Sequence, residues 1–424
     1  MKVYKFGGAS VRSAEGVKNL KYIVEDERGG LFIIVSAMGK TTNALETVID
    51  HFMAGRRDEA TAEFAAVETY HNGIIAGLFE DAKTPAAVQK LYDEVRAIIA
   101  KESAEERDFE RWYDNIVSYG ELISTTIISE YLNSAGVRNR WVDMRRCFVT
   151  DDRFKYANVD MDASGERLRA AVAEGAADGV DVFVGQGFIG ATTGGATTTL
   201  GREGSDYSAA VVASVLDADS VAIWKDVIGV LNADPKIFPE STFIPELTYR
   251  DAIELAFSGA QIIHPKTIKP LQNKNIPLYV RPFGDKFASG SVIRGEIAAP
   301  IEVPILILKR GQVLLQIRPH DYSFVLEERL GDIFPILERF NTKVNLVQTS
   351  AINMSLSIDR TRRLDELVRE LESRGFFVTR DEGLELLTIR GYTQPYLERY
   401  SRVPGIFLAQ RTRKILRLMR KETE

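Results

Sequence analysis

Short apolar runs alternate along most of the chain with longer segments in which apolar residues recur at helical spacing. The runs that predict buried strands are Val3–Phe6, Leu31–Ser36, Arg140–Asp143, Val182–Gln186, Ser220–Lys225 and Pro277–Val280. The helical patterns between them include Ala14–Glu25, Asn43–Phe52, Ser205–Leu216 and Tyr249–Phe257. This alternation favours a mostly parallel sheet with helices on both faces.

Two stretches interrupt the alternation. Residues 58 to 115 are rich in Ala, Glu and Lys and carry no strand signal, so they predict a helical insertion over one end of the sheet. Residues 116 to 134 then predict one long apolar helix, with Glu121 near its start.

The pattern changes near Ala298–Pro300, beyond which the predicted elements become shorter. Residues 312 to 381 follow the order β-α-β-β-α-β, which is the ferredoxin-like plan. A second unit of this kind begins with Leu384–Arg390, but the chain stops before its last helix. The fourth strand of that second unit could come from Val303–Lys309, which precedes the first unit.

Composition narrows the class of protein. The chain has 424 residues, of which 45% are hydrophobic, so it is long and apolar enough for two or three folded domains. A net charge of −6 gives no sign of a general nucleic-acid binder. The single cysteine, Cys147, excludes an internal disulfide and fits a reducing cytoplasm.

Targeting and metal-binding signals are also missing from the sequence. No apolar run approaches the roughly 18 residues of a membrane span, and the first strand leaves no room for a signal peptide, so we expect neither. Four scattered histidines and one cysteine make no metal-ligand pattern. We therefore expect no metal site built from side chains alone.

A glycine- and threonine-rich stretch from Gly194 to Tyr207 is the strongest chemical signal. Glycines let the backbone approach a ligand closely, and a helix that opens at Ser205–Asp206 directs free N–H groups at it. Arg202 adds a two-pronged donor for a carboxylate or phosphate. The alternative is a polar surface loop, which seldom has a strand before it and a helix after it.

A second cluster follows the first predicted strand, where Lys5 is followed by Gly7 and Gly8. The amides of such a turn bind anions and the ammonium adds a point charge, so the arrangement suits phosphate. The GxxxxGK[ST] pattern of a P-loop is absent. Taken alone, the cluster fits a simple strand and turn equally well.

Together these motifs resemble the aspartokinases of the amino-acid kinase superfamily. The resemblance rests on five segments in the family's order: Lys5–Val11, Ser118–Glu121, Gly185–Gly190, Thr198–Tyr207 and Gly259–Pro265. It implies a carbamate-kinase-like, mostly parallel sheet between helices, followed by ferredoxin-like (ACT) units. It also implies ATP-dependent phosphorylation of the side-chain carboxylate of L-aspartate, the first step of the pathway to lysine, threonine and methionine.

The resemblance further implies a domain organisation. We expect a catalytic domain of residues 1–298 and a regulatory region of residues 303–424. Within that region a unit of residues 312–381 would be inserted in a truncated unit of residues 303–310 and 384–420. ACT-like units have exposed sheet edges that pair, so we expect a cytoplasmic homodimer joined through them, with no nucleic-acid or membrane partner.

The reaction implied by the resemblance assigns roles at the substrate end. The substrate carboxylate is already ionised at neutral pH, so no strong base is needed, and the main obstacle is repulsion between two anions. Lys5 would neutralise the transferring phosphoryl group and Asp206 would orient Lys5 or the phosphates. The substrate-binding residues would be Ser36, Thr42, Glu121, Arg202, Gly204 and Ser205, with Glu121 facing the ammonium and Arg202 the α-carboxylate.

The nucleotide end resembles the family less closely. The expected ATP contacts are Lys5, Gly7, Gly8, Ser10, Lys225, Asp226, Leu231, Lys236 and Gln261, with Mg²⁺ arriving on the phosphates. Lys225 replaces a usual threonine, Leu231 a common aromatic residue and Gln261 a frequent lysine. We expect these changes to affect nucleotide affinity more than the type of reaction.

An effector pocket is expected between the first helix and the strands of the first ACT-like unit. Its residues would be Ser323, Asn345, Gln348 and Ser350, although these polar side chains could equally cap a strand end. Asn345 stands where lysine-sensitive relatives often have an aspartate, so we expect weak lysine inhibition or none, with threonine favoured as the effector.

Two alternatives to aspartate phosphorylation remain open at this point. One is a kinase of the same fold that acts on glutamate, on another small acid or on a nucleoside monophosphate. The other is a catalytically inactive amino-acid sensor. Glu121 favours a substrate that carries an ammonium group, and the pairing of Lys5 with Asp206 favours catalysis.

Overall fold

A computed structural model describes residues 1–101, 109–260, 263–321, 325 and 329–422. The described chain divides into two compact units. The first comprises Met1–Val230, Pro245–Ala252 and Ile263–Ala298, and the second comprises Leu231–Ile244, Ile253–Ile262 and Ala299–Glu424. Two short segments that precede residue 298 therefore belong to the second unit.

Strands and helices alternate up to Arg294. The strands are β1 Lys2–Phe6, β2 Leu31–Val35, β3 Arg140–Val142, β4 Val149–Thr150, β5 Val182–Gln186, β6 Ile189–Thr192, β7 Thr197–Thr199, β8 Ser220–Lys225, β9 Val230–Leu231, β10 Phe243–Ile244, β11 Glu246–Thr248, β12 Leu278–Pro282 and β13 Ser291–Arg294. The helices are α1 Ala14–Val24, α2 Thr41–Met53, α3 Arg57–Leu78, α4 Ala86–Ala100, α5 Phe109–Val117, α6 Tyr119–Ser134, α7 Met144–Cys147, α8 Met161–Ala177, α9 Gly204–Val215, α10 Tyr249–Ser258 and α11 Pro265–Lys274.

The main sheet of the first unit has the strand order β11-β13-β12-β8-β1-β2-β5-β3. Its central strands pair in parallel, and β12 pairs antiparallel with β13. Strand β2 is apolar and fully buried, and four of the five residues of β1 are buried, as expected for parallel strands covered on both faces. The predicted sheet class is confirmed.

Two local predictions for the first unit need correction. The helix predicted for residues 116–134 begins only at Tyr119, because a turn at Ser118 separates it from α5. The Ser118 hydroxyl donates to the Asn115 carbonyl at 2.8 Å, which competes with regular helical bonding. The glycine- and threonine-rich stretch also contains a hairpin, β6 with β7, that the sequence analysis did not predict.

The second unit is built on an antiparallel sheet. Its strands are β14 Ile305–Pro319, β15 Val344–Thr349, β16 Met354–Asp359, β17 Phe376–Arg390, β18 Ile406–Arg411 and β19 Ile415–Lys421. They have the order β15-β16-β14-β17-β19-β18. Its helices are α12 Leu330–Arg339, α13 Leu364–Ser373 and α14 Gln394–Ser401. Helices α12 and α13 pack on one apolar cluster of this sheet and α14 packs on another.

The second unit contains two long strands where four short strands were predicted. Strand β14 includes most of the predicted strand 303–309 and continues into the first strand of the predicted unit 312–381, and β17 joins the last strand of that unit to the predicted strand 384–390. The register of β14 on β17 shifts between Lys309 and Gln312 and again before Leu314, but pairing continues on both sides. A bulge therefore lies where the end of one strand and the start of another were predicted, because a bulge bends a strand without ending it.

Candidate active site

The carboxyl ends of the central parallel strands of the first unit meet at one cavity. Lys5 lies in β1, Ser36 follows β2 and Phe188 follows β5. Such strand ends are the usual binding site in open α/β sheets. The cavity has a volume of about 400 Å³. Its lining residues are Lys5, Ser36, Thr42, Tyr113, Glu121, Lys155, Tyr156, Phe188, Thr199, Gly201, Arg202, Glu203, Gly204, Ser205 and Asp206.

A buried ion pair forms one end of the cavity. Lys5 Nζ lies 2.7 Å from Asp206 Oδ1, and the two residues are only 8% and 4% exposed. Lys225 Nζ lies 3.6 Å from the other Asp206 oxygen. Burial alone would raise the pKa of Asp206, but the charges of Lys5 and Lys225 outweigh it and lower that pKa. Asp206 is therefore ionised at neutral pH.

Asp206 does not cap its helix, although its position near the start of α9 allows that role. The N-cap residue is Glu203, in the left-handed conformation with φ of 56°, and it makes no side-chain capping bond. The Asp206 side chain instead faces Lys5 and Lys225. The start of α9 contributes Gly204 and Ser205 to the cavity, which leaves N–H groups of its first turn near the ligand space.

Glycines allow close backbone approach at two points of the site. A Cβ atom at Gly8 would lie 2.4 Å from the Ala37 carbonyl oxygen, and a Cβ atom at Gly187 would lie 2.4 Å from Ser205 Cβ. A side chain at Gly8 would push apart the turns that follow β1 and β2. A side chain at Gly187 would push apart the end of β5 and α9. Gly7 follows Lys5 directly, and the Ser10 hydroxyl donates to the Trp224 carbonyl at 3.5 Å.

A second buried carboxylate of the cavity, Glu121, has a contrasting environment. It lies in the first turn of α6, is 3% exposed and accepts a hydrogen bond from the Ala37 N–H at 3.2 Å. Its second carboxylate oxygen has no hydrogen-bond partner among the described residues. Burial raises the pKa of Glu121 to about 8, against the lowering effects of the Ala37 N–H and the Lys5 charge. Such a carboxylate is suited to an incoming cation.

The remaining predicted substrate residues also line the cavity. Arg202 lies in the exposed turn before α9, whereas Gly204 and Ser205 are buried. Ser36 and Thr42 are half-buried, and the Ser36 carbonyl accepts a hydrogen bond from Ser124 at 2.8 Å. The structure therefore brings all the predicted substrate-binding residues and both predicted catalytic residues to one cavity.

The predicted nucleotide residues are placed less uniformly. Lys225 ends β8 beside Asp206, and Asp226 follows it directly. Leu231 and Lys236 belong to the second compact unit. Gln261 lies outside the described residues.

The predicted effector residues that the structure describes differ in burial. Asn345 is buried; its amide N–H groups donate to Gln312 and Asp359, and its oxygen accepts from Lys309, each at 2.8 Å. Gln348 and Ser350 are exposed, and Ser323 lies outside the described residues. Asn345 could donate to an effector only by giving up these internal bonds.

Seven lining residues were given no role by the sequence analysis, namely Tyr113, Lys155, Tyr156, Phe188, Thr199, Gly201 and Glu203. Phe188 and Thr199 fall in motifs that were recognised, but no role followed from their residue type. Lys155 has a φ of 66°, a conformation that is rare outside glycine. Its sequence neighbourhood contains no glycine that would have marked the turn.

Two further observations concern metal-binding groups and membrane-spanning helices in residues 1–101, 109–260, 263–321, 325 and 329–422. Within those ranges, His, Cys, Asp and Glu side chains form no group of three or more that could hold a metal ion. No helix in the same ranges is long and apolar enough to cross a membrane.

Comparison with known proteins assigns a family to this site. The amino acid kinase family matches residues 1–282. Over 85% of its length the chain is 31% identical to the lysine-sensitive aspartokinase 3 of Escherichia coli (strain K12), and the match covers 78% of that protein. The chain belongs to the aspartokinases. The motifs that carry the predicted site fall within the matched region.

Solved aspartokinase structures support the same assignment. The E. coli aspartokinase III complex with aspartate and ADP (R-state) is similar with a TM-score of 0.83 and 28% identity, covering 99% of this chain and 96% of that one. The E. coli complex with lysine and aspartate (T-state) has a TM-score of 0.79 and 28% identity, covering 99% and 95%. The predicted fold class, an amino-acid-kinase sheet followed by ACT-like units, is confirmed.

Proposed function

We propose that this aspartokinase transfers the γ-phosphoryl group of ATP to the side-chain carboxylate of L-aspartate, forming 4-phospho-L-aspartate. The observation that carries the proposal is a single cavity with the Lys5–Asp206 ion pair and the buried, partly unpartnered carboxylate of Glu121. The ion pair suits a phosphoryl group, and the Glu121 carboxylate suits the ammonium group of an amino acid. The reaction opens the pathway from aspartate to lysine, threonine and methionine.

The chemistry requires charge neutralisation more than acid–base catalysis. An aspartate side chain has a pKa of about 3.9, so the nucleophile is ionised without help from the protein. It must approach a polyanion, and Lys5 offsets that repulsion at the transferring group. Asp206 orients Lys5 through the ion pair between them. The Gly7 and Gly8 turn and the first turn of α9 add N–H dipoles in a fixed geometry.

The amino-acid end orients the substrate. Glu121 pairs with the ammonium group, and Arg202 binds the α-carboxylate with its two-pronged donor. Ser36, Thr42, Gly204 and Ser205 complete the contacts. Two charged anchors on one small molecule leave its side-chain carboxylate directed at Lys5, and such positioning lowers the barrier of a two-substrate reaction.

At the nucleotide end, Gly7, Gly8, Ser10, Lys225, Asp226, Leu231, Lys236 and Gln261 are the proposed contacts. Asp206 provides carboxylate oxygens beside Lys5, and carboxylate with phosphate oxygens is the donor set that Mg²⁺ takes in kinases. Asp206 and the nucleotide phosphates would hold such an ion, which would supply charge neutralisation during phosphoryl transfer. Lys225 adds a protein charge at the same end.

Trapping the acyl phosphate tests the proposal directly. The full chain is incubated with ATP, Mg²⁺ and hydroxylamine, and hydroxamate is measured with aspartate, glutamate and other small acids. We expect hydroxamate with aspartate alone. Product with glutamate or another acid would favour a different kinase of this fold. Aspartate binding without any product would favour the inactive sensor, and ADP formed on a nucleoside monophosphate would favour a nucleotide kinase.

We also propose that the second unit joins two chains and binds an amino-acid effector. One support is its antiparallel sheet, which ends in the edge strands β15 and β18. Gln348 and Ser350, on or near β15, remain the proposed effector contacts, together with Ser323 and Asn345. Cys147, the single cysteine, fits a cytoplasmic enzyme.

Light scattering and inhibition assays test the proposal for the second unit. We expect the full chain to have the mass of a dimer, and a monomer at all concentrations would contradict this. We expect lysine to inhibit weakly or not at all and threonine to inhibit more strongly. Strong lysine inhibition would contradict the effector assignment.

A further inference from the structure

Asp114 is a buried carboxylate that the proposed mechanism does not use. It lies in α5 with 0% of its surface exposed. Among the described residues no cation lies within salt-bridge distance of it. Burial raises its pKa to about 6, opposed by hydrogen bonds from Thr199 and Lys155. Burying a carboxylate without a counter-ion costs stability. We therefore expect the hydrogen bonds of Asp114 to serve a purpose other than stability.

Both residues that donate to Asp114 line the substrate cavity. The Lys155 N–H donates to Oδ2 at 2.9 Å and the Thr199 N–H donates to the same oxygen at 2.8 Å. The Thr199 hydroxyl donates to Oδ1 at 2.6 Å. Asp114 itself does not line the cavity. Its contacts therefore act on the cavity only through these two residues.

The segment that contains Lys155 needs such a restraint. Lys155 is in the left-handed conformation with φ of 66°, which is strained for a residue other than glycine and persists only where the surroundings impose it. The Lys155 ammonium lies 4.2 Å from the centre of the Tyr113 ring, within the cavity wall. The Asp114 bond to the Lys155 N–H holds the backbone at this strained residue.

The restraint extends to the turn that contains Arg202. The Ala157 N–H donates to the Thr199 carbonyl at 3.0 Å, which ties the two segments together. A Cβ atom at Gly201 would lie 3.1 Å from the Lys155 carbonyl oxygen and 2.9 Å from the Tyr156 ring. The Gly201 backbone therefore packs closely against Lys155 and Tyr156, and it is followed directly by Arg202, the proposed ligand of the α-carboxylate.

We propose that Asp114 is a positioning residue for aspartate binding, because it fixes the cavity wall formed by Lys155 and Thr199 and, through it, Arg202. The proposal rests on the proposed function and names one more residue on which its substrate binding depends. It concerns the amino-acid end of the cavity, so it predicts an effect on aspartate and none on ATP.

Two variants distinguish a positioning role of Asp114 from an effect of its charge. In Asp114→Asn the amide oxygen can accept both N–H bonds at the place of Oδ2, and the amide nitrogen can donate to the Thr199 hydroxyl oxygen. Asp114→Ala removes all three bonds and leaves two N–H groups unpaired. We expect the alanine variant to raise KM for aspartate by about tenfold or more, with KM for ATP unchanged, and we expect asparagine to restore it.

Glu68→Ala provides the matched control. Glu68 is also a buried carboxylate on a helix of the same unit, but its ion-pair partner is Arg96, which does not line the cavity. We expect this variant to lose thermal stability and keep the wild-type KM for aspartate. If Asp114→Ala does not fold, Asp114→Leu fills the space without supplying an acceptor and carries the same expectation.

Three results would overturn the role of Asp114: an unchanged KM for aspartate in the alanine variant, equal changes for aspartate and ATP, or an asparagine variant as impaired as alanine. Calorimetric titration with aspartate, without nucleotide, keeps this role apart from the proposed activity. Absence of wild-type turnover would contradict the activity alone if aspartate still bound and Asp114→Ala weakened that binding.

Discussion

The two ends of the cavity contain buried carboxylates in opposite electrostatic settings. Asp206 has Lys5 at 2.7 Å and Lys225 at 3.6 Å, and their charges lower its pKa. Glu121 has one N–H bond and one unpartnered oxygen among the described residues, and burial raises its pKa to about 8. The partner charges of Asp206 are therefore supplied by the chain, whereas no cation of the described residues lies within salt-bridge distance of Glu121, whose partner the substrate ammonium would supply.

This difference predicts separate kinetic effects. Lys5 and Asp206 should affect kcat, because their charges act most strongly where the transition state develops charge. Glu121 should affect KM for aspartate, because it acts on substrate binding. The tests below run from the largest expected effect to the smallest.

The largest effect is expected for Lys5→Ala. It removes the charge that faces the transferring phosphoryl group, and we expect kcat to fall by about 10² to 10³. Lys225→Ala is the control at the same end, since Lys225 lies farther from Asp206, and its loss should reduce kcat much less. Steady-state kinetics on folded variants would check both. A Lys5→Ala enzyme with near wild-type kcat would contradict the comparison.

Glu121→Gln should impair aspartate binding selectively. The amide keeps the shape of the side chain and the bond from Ala37 but loses the charge opposite the substrate ammonium. A charge-assisted bond of this kind is worth about 10- to 100-fold in affinity. We expect KM for aspartate to rise by that factor while KM for ATP stays the same. A rise in KM for ATP instead would assign Glu121 to the nucleotide end.

The raised pKa of Glu121 predicts a pH dependence of aspartate binding. Below a pKa of about 8 the free enzyme holds Glu121 mostly protonated, and only the ionised form attracts an ammonium group. KM for aspartate should therefore fall as pH rises from 7 towards 8.5, by up to about tenfold. The Glu121→Gln enzyme should lack this trend. A wild-type KM that is flat over this range would show that Glu121 is already ionised.

The smallest expected effect is on stability. A carboxyl group whose pKa is raised by folding takes up a proton when the chain folds, so its contribution to stability is lost as pH rises through the folded pKa. Glu121→Gln should therefore raise the melting temperature more at pH 9 than at pH 5. Calorimetric scans at the two pH values would check this. An equal shift at both would mean that the carboxylate is not penalised by burial.

Local patterns indicated anion binding at two segments of the chain, and the family resemblance supplied the proposed roles of their residues. Lys5 followed by glycines, and Arg202 to Asp206 at the start of a helix, are short segments whose chemistry depends on neighbours along the chain. The parallel arrangement of β1, β2, β5 and β8 followed from alternating strands and helices, since parallel strands need crossover connections. Their convergence on one cavity follows from that arrangement.

The sequence by itself therefore determined the class of fold and selected the proposed catalytic and substrate-binding residues, all of which line one cavity. Only the tertiary structure decided the state of the buried carboxylates and the place of Asn345, because burial and hydrogen-bond partners come from segments far apart in the chain. Asp114 meets Thr199, and Asn345 meets Lys309, only after folding. Likewise β14 and β17 are continuous because pairing across the sheet bridges a bulge that a local pattern shows as a break.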